Sequence, residues 1–148
     1  MLTLGPYRLA TAICFEDTVP HVVRRFFSRT KGEGQPDVLV NMSNDGWFHH
    51  SSEHEMHLAI SVFRAIEDRV PLARAANTGT SAIVDGNGTV VQALDTGVEG
   101  VLTRSVPLDD RVSLYSARGD WLGLTCLAIA LGLVPLAVWG PPRLRRPT

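Results

Sequence analysis

The sequence predicts an α/β layered fold with a mixed sheet, followed by a single C-terminal apolar helix. In the first half of the 148 residues, short apolar runs suited to buried strands alternate with two amphipathic helical stretches. A set of closely spaced hairpin-type strands follows. Then 22 consecutive residues, Trp121 to Pro142, contain no Asp, Glu, Lys, Arg or His, while the preceding 120 hold 26 of the 29 Asp, Glu, Lys and Arg residues. The mean hydropathy of +0.07 therefore averages a polar globular segment, 1–119, with a greasy one, 120–142, and a short basic tail, 143–148.

Tyr7 to Cys14 is short, apolar and bounded by Gly5-Pro6, as a buried strand should be. Asp17 and Thr18 are N-cap residue types, and Val19, Val22, Val23, Phe26 and Phe27 then recur at helical spacing, leaving Arg24, Arg25 and Arg29 on the outward side. Lys31 to Pro36 reads as a loop, Asp37 to Met42 as a second strand and Ser43 to Ser52 as a long polar loop. Glu53 to Arg69 reads as a second helix with Leu58, Phe63 and Ile66 available to pack, ended by Pro71. Short strands are expected over Leu72–Ala76 and Thr80–Val84, with Asp85-Gly86-Asn87-Gly88 turning the chain into Thr89–Leu94 and a last strand near Val101–Val106. Two helices cover one face of such a sheet, so the other face needs a second sheet from elsewhere or another chain.

The greasy run has the length, about 20 residues, that an α-helix needs to cross a bilayer. Trp121 and Trp139 stand near its ends and Arg143, Arg145 and Arg146 follow it, which places the C-terminus in the cytoplasm and residues 1–120 outside. A buried core helix is the alternative; 22 uncharged residues are long for one. Pro135 is tolerated in a membrane helix. The start, MLTLGPYRLA, has neither the basic residues nor the apolar core of a secretory signal.

Composition excludes several classes. Two cysteines, one inside the apolar run, cannot staple a fold. The first 119 residues carry 11 basic and 14 acidic side chains with no basic stretch, which argues against nucleic acid as a partner. His54 and His57 are three apart where a zinc-protease helix requires four, and His49-His50 are adjacent, so no metal is expected and the histidines are expected on the surface or in loops. Gly86 and Gly88 belong to a turn and not to a dinucleotide loop, and Ser43 and Ser51 lack a nucleophile-elbow context. No cofactor is implied.

Cys14 stands where an apolar strand gives way to a capped helix, a junction at which free N–H groups and a positive dipole end activate a thiol and hold an oxyanion. Glu16, two residues on, is placed to orient a substrate or carry a proton. Read from spacing alone, a lone cysteine such as Cys14 is more commonly a small buried hydrophobe.

Four blocks in order, Ile13-Cys14-Phe15-Glu16, Ser43-Asn44-Asp45-Gly46-Trp47-Phe48, Arg64-Ala65-Ile66-Glu67 with Pro71, and Asn77-Thr78-Gly79, resemble the carbon-nitrogen hydrolase (nitrilase) superfamily. The SND-G-W-F block and the terminal apolar helix are most similar to its apolipoprotein N-acyltransferase branch. The resemblance implies part of an αββα sandwich and ping-pong catalysis: a glutamate base activates a cysteine, which takes an acyl chain from a phospholipid as a thioester. The α-amino group of a diacylglyceryl lipoprotein then accepts it, with a lysine stabilising the oxyanion. It makes Cys14 the nucleophile, Glu16 an acid beside it, Phe15 the aromatic between them, Trp47 a pocket wall, and Asn44 and Asp45 the flanking loop. The family's base and lysine lie upstream of the cysteine, yet the 13 residues before Cys14 include neither Glu nor Lys. The chain therefore reads as the C-terminal part of a bacterial inner-membrane enzyme, inactive alone, completed by an N-terminal portion or a second chain. A small-amide hydrolase and a non-catalytic membrane-anchored remnant are the alternatives.

Overall fold

Hydrogen bonding, more than apolar periodicity, decides where the elements begin and end. A computed structural model describes residues 1–27, 34–49 and 51–139, the side chains of 135–139 excepted. Arg29, the first half of the Lys31–Pro36 loop, His50 and the basic tail lie outside the described residues.

Six strands form one sheet whose spatial order follows the chain: β1 (Leu2–Leu4), β2 (Tyr7–Ile13), β3 (Val38–Asn44), β4 (Leu72–Asn77), β5 (Ser81–Val84) and β6 (Val90–Leu94). The central three run parallel, Ala10 opposite Leu39 and Leu39 opposite Leu72, and the flanking pairs run antiparallel. Parallel neighbours require crossovers, and α1 (Pro20–Phe27) and α2 (Glu53–Asp68) supply them. Because the parallel strands succeed one another in a single direction, right-handed crossovers place both helices on the same face. The other face has no helix among the described residues, in keeping with the expectation of one covered face.

The core lies between that sheet face and the helices. Ala10, Ala12, Leu39, Leu72, Ala82 and Val84 point inward at strand period two, and Val23, Phe27 and Ala65 meet them from the helices. Each fully buried leucine contributes roughly 1.5–3 kcal/mol. The alternate residues of the same strands, among them Val40, Ala73, Ala75 and Ile83, line a cavity of about 320 Å³ on the uncovered face, closed at one side by Val101 and Leu102.

Several sequence expectations are corrected. The short strand β1 was not foreseen; it pairs as a hairpin across Gly5-Pro6. Strand β3 continues through Ser43 and Asn44, which were expected in a loop, because their partners Ala76 and Asn77 extend the ladder. No strand forms near Val101–Val106: that stretch carries no ladder pairing, and only Val101 and Leu102 of it line the cavity on the uncovered face. Phe63 is exposed, since α2 turns a polar stripe inward, His54, His57, Ser61, Arg64 and Asp68. Arg24 is half-buried, its Nε donating to the Tyr115 carbonyl at 2.8 Å.

That last bond fastens α1 to α3 (Leu114–Arg118), a five-residue helix that leads into α4 (Trp121–Trp139). Ser116 in α3 also donates to buried Asp68 at 2.6 Å. Beyond this anchor the side chains of α4 from Leu122 to Val134 are all exposed. Over the described residues no helix is long and apolar enough to cross a membrane. Residues 140–142 of the expected 120–142 span are outside the described residues.

Candidate active site

At the C-terminal end of β2 the chain does not pass directly into α1. It first makes a tight 3₁₀ turn, Cys14–Thr18, and Cys14 opens that turn with φ of 52°. A residue with a Cβ in the left-handed region is strained by about 1–2 kcal/mol and persists only where its surroundings hold it. Here the holding groups are visible. Asn41 Nδ2, from the neighbouring strand, donates to the carbonyls of Cys14 at 3.2 Å and Ala12 at 3.4 Å. Glu16 folds back so that its carboxylate accepts the Ile13 N–H at 2.8 Å, and the Thr18 hydroxyl donates to the Phe15 carbonyl at 2.7 Å. The thiol is half-buried at the rim.

The structure brings the other sequence-selected residues into the same end of the sheet, in different roles. Phe15 stacks on the His57 ring, centroids 5.0 Å apart and planes within 13°, with Phe48 edge-on at 5.7 Å. Asn44 holds the next turn: its Oδ1 accepts from Gly46 N–H and from Asn77 Nδ2, and its carbonyl accepts Trp47 Nε1 at 2.6 Å. Trp47 is 71% exposed, so its indole stands at the surface. Asp45 is fully buried and points inward. It presses so closely on Gly79 that any Cβ there would collide with its carboxylate.

Beneath these turns lies an ionic network that the sequence reading missed. His57, expected at the surface or in a loop, is 2% exposed because its ring is clamped between two fully buried carboxylates: Nε2 lies 3.0 Å from Asp17 Oδ1 and Nδ1 3.1 Å from Asp45 Oδ1. His54 is buried as well, its Nε2 2.7 Å from the His49 carbonyl. Asp17 is thus no helix cap; it also accepts from the Ser61 hydroxyl. From β4, Arg74 donates to Asp45 Oδ2 at 2.7 Å and to Asn41 Oδ1 at 2.5 Å, and lies 3.5 Å from Asp17. Ser43 completes the shell with a 2.5 Å bond to Asp45. With His57 protonated, the two carboxylates, one guanidinium and one imidazolium balance to zero charge. Only the protonated ring can donate from both nitrogens. Burial, the largest influence on His57, lowers its pKa, and the Arg74 charge does so too; the Asp17 hydrogen bond and the charges of Asp17 and Asp45 outweigh them, so the net direction is upward.

A signal for this network exists in the sequence. Asn41 and Arg74 stand at inward positions of strands, two residues after Leu39 and Leu72, where an apolar residue is the rule. A cation at such a position demands buried anions, and Asp17 and Asp45 supply them.

A second buried cluster joins α2 to α3. Arg64 pairs with Glu67 at 2.9 Å, one helical turn away, as the sequence suggested. Burial pushes Glu67 upward, helped by the Asp68 and Asp120 charges and opposed by Arg64. Burial likewise pushes Asp68 up to about 6, against the Ser116 hydrogen bond and the Arg64 and Arg24 charges. Among the described residues no group of three or more His, Cys, Asp or Glu side chains is arranged to hold a metal ion.

A strand-end cysteine in a strained turn, on a sheet with two same-side crossovers, defines a recognisable arrangement. The carbon-nitrogen hydrolase family model matches residues 2–115. The chain belongs to the carbon-nitrogen hydrolase family. Its relatives include the apolipoprotein N-acyltransferase of Geobacter metallireducens, 37% identical over 92% of this chain and 25% of that protein. That of Rhodopseudomonas palustris is 38% identical over 86% and 23%. The chain thus spans about a quarter of the length of these relatives. Among solved structures, a carbon-nitrogen hydrolase from Helicobacter pylori G27 superposes with a TM-score of 0.54 at 15% identity, covering 64% of this chain and 39% of that one. At that identity the likeness establishes the fold alone.

Proposed function

We propose that this carbon-nitrogen hydrolase chain is the nucleophile-bearing portion of an apolipoprotein N-acyltransferase. The observation that carries the reading is Cys14, held in a left-handed conformation at the strand end, in a chain 30–40% identical to proteins of that name. The Cys14 thiolate attacks the ester carbonyl of a phospholipid; the C–O bond breaks, the lysophospholipid alkoxide leaves and is protonated, and a thioester forms. The α-amino group of a diacylglyceryl-cysteine lipoprotein then attacks the thioester. The C–S bond breaks, an amide forms, and the thiol is restored. Glu16, Phe15, Asn44, Asp45 and Trp47 shape the turns around the reacting sulfur.

The base and the oxyanion-stabilising lysine are not among residues 1–13. They come from another portion of the enzyme or a second chain, which also covers the bare sheet face with a second sheet and completes the αββα sandwich. This chain by itself is inactive. The apolar run 120–142 spans the bacterial inner membrane, with the globular part on the periplasmic side and the C-terminus in the cytoplasm. The exposure of every described side chain from Leu122 to Val134 supports this, because an apolar helix with no protein cover needs lipid or a partner.

The test is acyl capture. Membranes of cells producing this chain together with the portion that supplies the base and lysine are given a phospholipid with an alkyne-tagged acyl chain, and hydroxylamine-labile adducts are mapped by mass spectrometry. An adduct on the Cys14 peptide, lost in Cys14→Ala, is expected; an adduct on any other residue overturns the assignment. The chain purified alone should acquire none, and labelling there would refute its dependence on a missing base.

A further inference from the structure

Of the groups the proposed chemistry leaves unused, His57 is the most constrained. Its ring joins the two turns that carry the site: Asp17 belongs to the turn opened by Cys14, and Asp45 precedes the turn carrying Trp47. Its face supports Phe15, the residue directly after the nucleophile. Arg74 grips the same two carboxylates and, through Asn41, reaches the Cys14 carbonyl itself. The left-handed backbone at Cys14 is therefore braced from below by one connected set of buried charges, and His57 alone in that set touches both site turns and the aromatic beside the sulfur.

We propose that His57 is a positioning residue for the nucleophile: as an imidazolium bridging Asp17 and Asp45, it locks the Cys14 turn against the Trp47 turn and so fixes where the thiol points. When the ring loses a proton, one of the two bridges loses its donor and the turns uncouple. The titratable or charged groups facing the ring are Asp17 from the 3₁₀ turn, Asp45 from the end of β3 and Arg74 from β4, with His54 on the same helix one turn away. The inference deepens the reading of Cys14 as nucleophile and rests on it, yet it is read out without an acyl donor.

In a Cys126→Ser background, iodoacetamide alkylation of Cys14 in the full chain is followed by mass spectrometry from pH 5 to 9. A step of at least twofold in rate, separate from the thiol's own rise, is expected where His57 gives up its proton. His57→Gln removes the step; His54→Gln keeps it. A purely structural histidine would shift the unfolding midpoint and leave the profile shape unchanged. A wild-type profile without the step, or one that survives in His57→Gln, overturns the proposal. Should His57→Gln fail to fold, ¹⁵N NMR of the ring in the unaltered protein decides: two protonated nitrogens at pH 7 are expected, and one bare nitrogen refutes the bridge. Loss of the acyl adduct with the step intact would sink the transferase reading alone; the reverse would sink only the role of His57.

Discussion

Replacing Cys14 by glycine should stabilise the protein relative to replacing it by alanine, the reverse of what these residues do within a regular strand or helix. Both substitutions delete the thiol, so their difference isolates the Cβ at φ of 52°. A Cβ in the left-handed region costs about 1–2 kcal/mol, and the greater backbone freedom of glycine in the unfolded chain takes back about 0.5–1 kcal/mol. The balance is about 1 kcal/mol in favour of Cys14→Gly. For a chain of this size that is about 3 °C in midpoint. The assay is paired thermal and urea unfolding of the two full-length variants in the same mild detergent, alongside alkylation to confirm that neither retains a reactive thiol at this position. If Cys14→Ala is as stable as Cys14→Gly, the turn is not strained, and the buried groups beneath it are not what holds Cys14 in place.

Arg74→Met should destabilise by about 3–5 kcal/mol in urea unfolding, because it leaves two buried carboxylates with one counter-charge. Gly79→Ala should cost about 1–3 kcal/mol by driving a methyl group into the Asp45 carboxylate, measured the same way. For pH dependence, Asp68 has a folded pKa of about 6, above its usual 3.8, so the folded state holds the extra proton. Stability then falls as pH rises from about 4 to 6, by roughly 3 kcal/mol, and Asp68→Asn flattens that fall in unfolding curves taken across the window. His57, raised from 6.5, adds stability that is present below 6.5 and lost as pH climbs through its folded value; His57→Gln removes this upper loss.

The order of strands and helices was legible because apolar residues at periods of two and about 3.6 mark the faces that meet the core, and this chain follows that rule in β2, β3 and α1. It breaks the rule in α2. The inward stripe of that helix is His54, His57, Ser61, Arg64 and Asp68, so a search for apolar residues picked Phe63, which lies at the surface. Cys14 and Glu16 could be selected because a strand end followed by capping residues is a local pattern, whereas Phe15 came only with the family resemblance. What Asp17 and Asp45 do was hidden for the opposite reason: their charged partners lie 12 to 57 positions away, and nothing local distinguishes a capping aspartate from one committed to a distant arginine. The last strand near Val101–Val106 was misread because β-branched residues report a tendency to extend, whereas a ladder also requires a partner edge in register.

The reach of the buried network has a consequence for how the protein comes into being. Asp17 leaves the ribosome first, and Arg74, which grips both carboxylates, follows 57 residues later. Until β4 docks beside β3, placing Asp17, Asp45 and His57 out of water has too little return, and the intervening loops must close before the contacts form. The turn bearing the cysteine therefore acquires its shape late in folding, after the sheet has assembled. A nascent or partly folded chain carries Cys14 on flexible backbone, and its left-handed turn exists only in the finished domain.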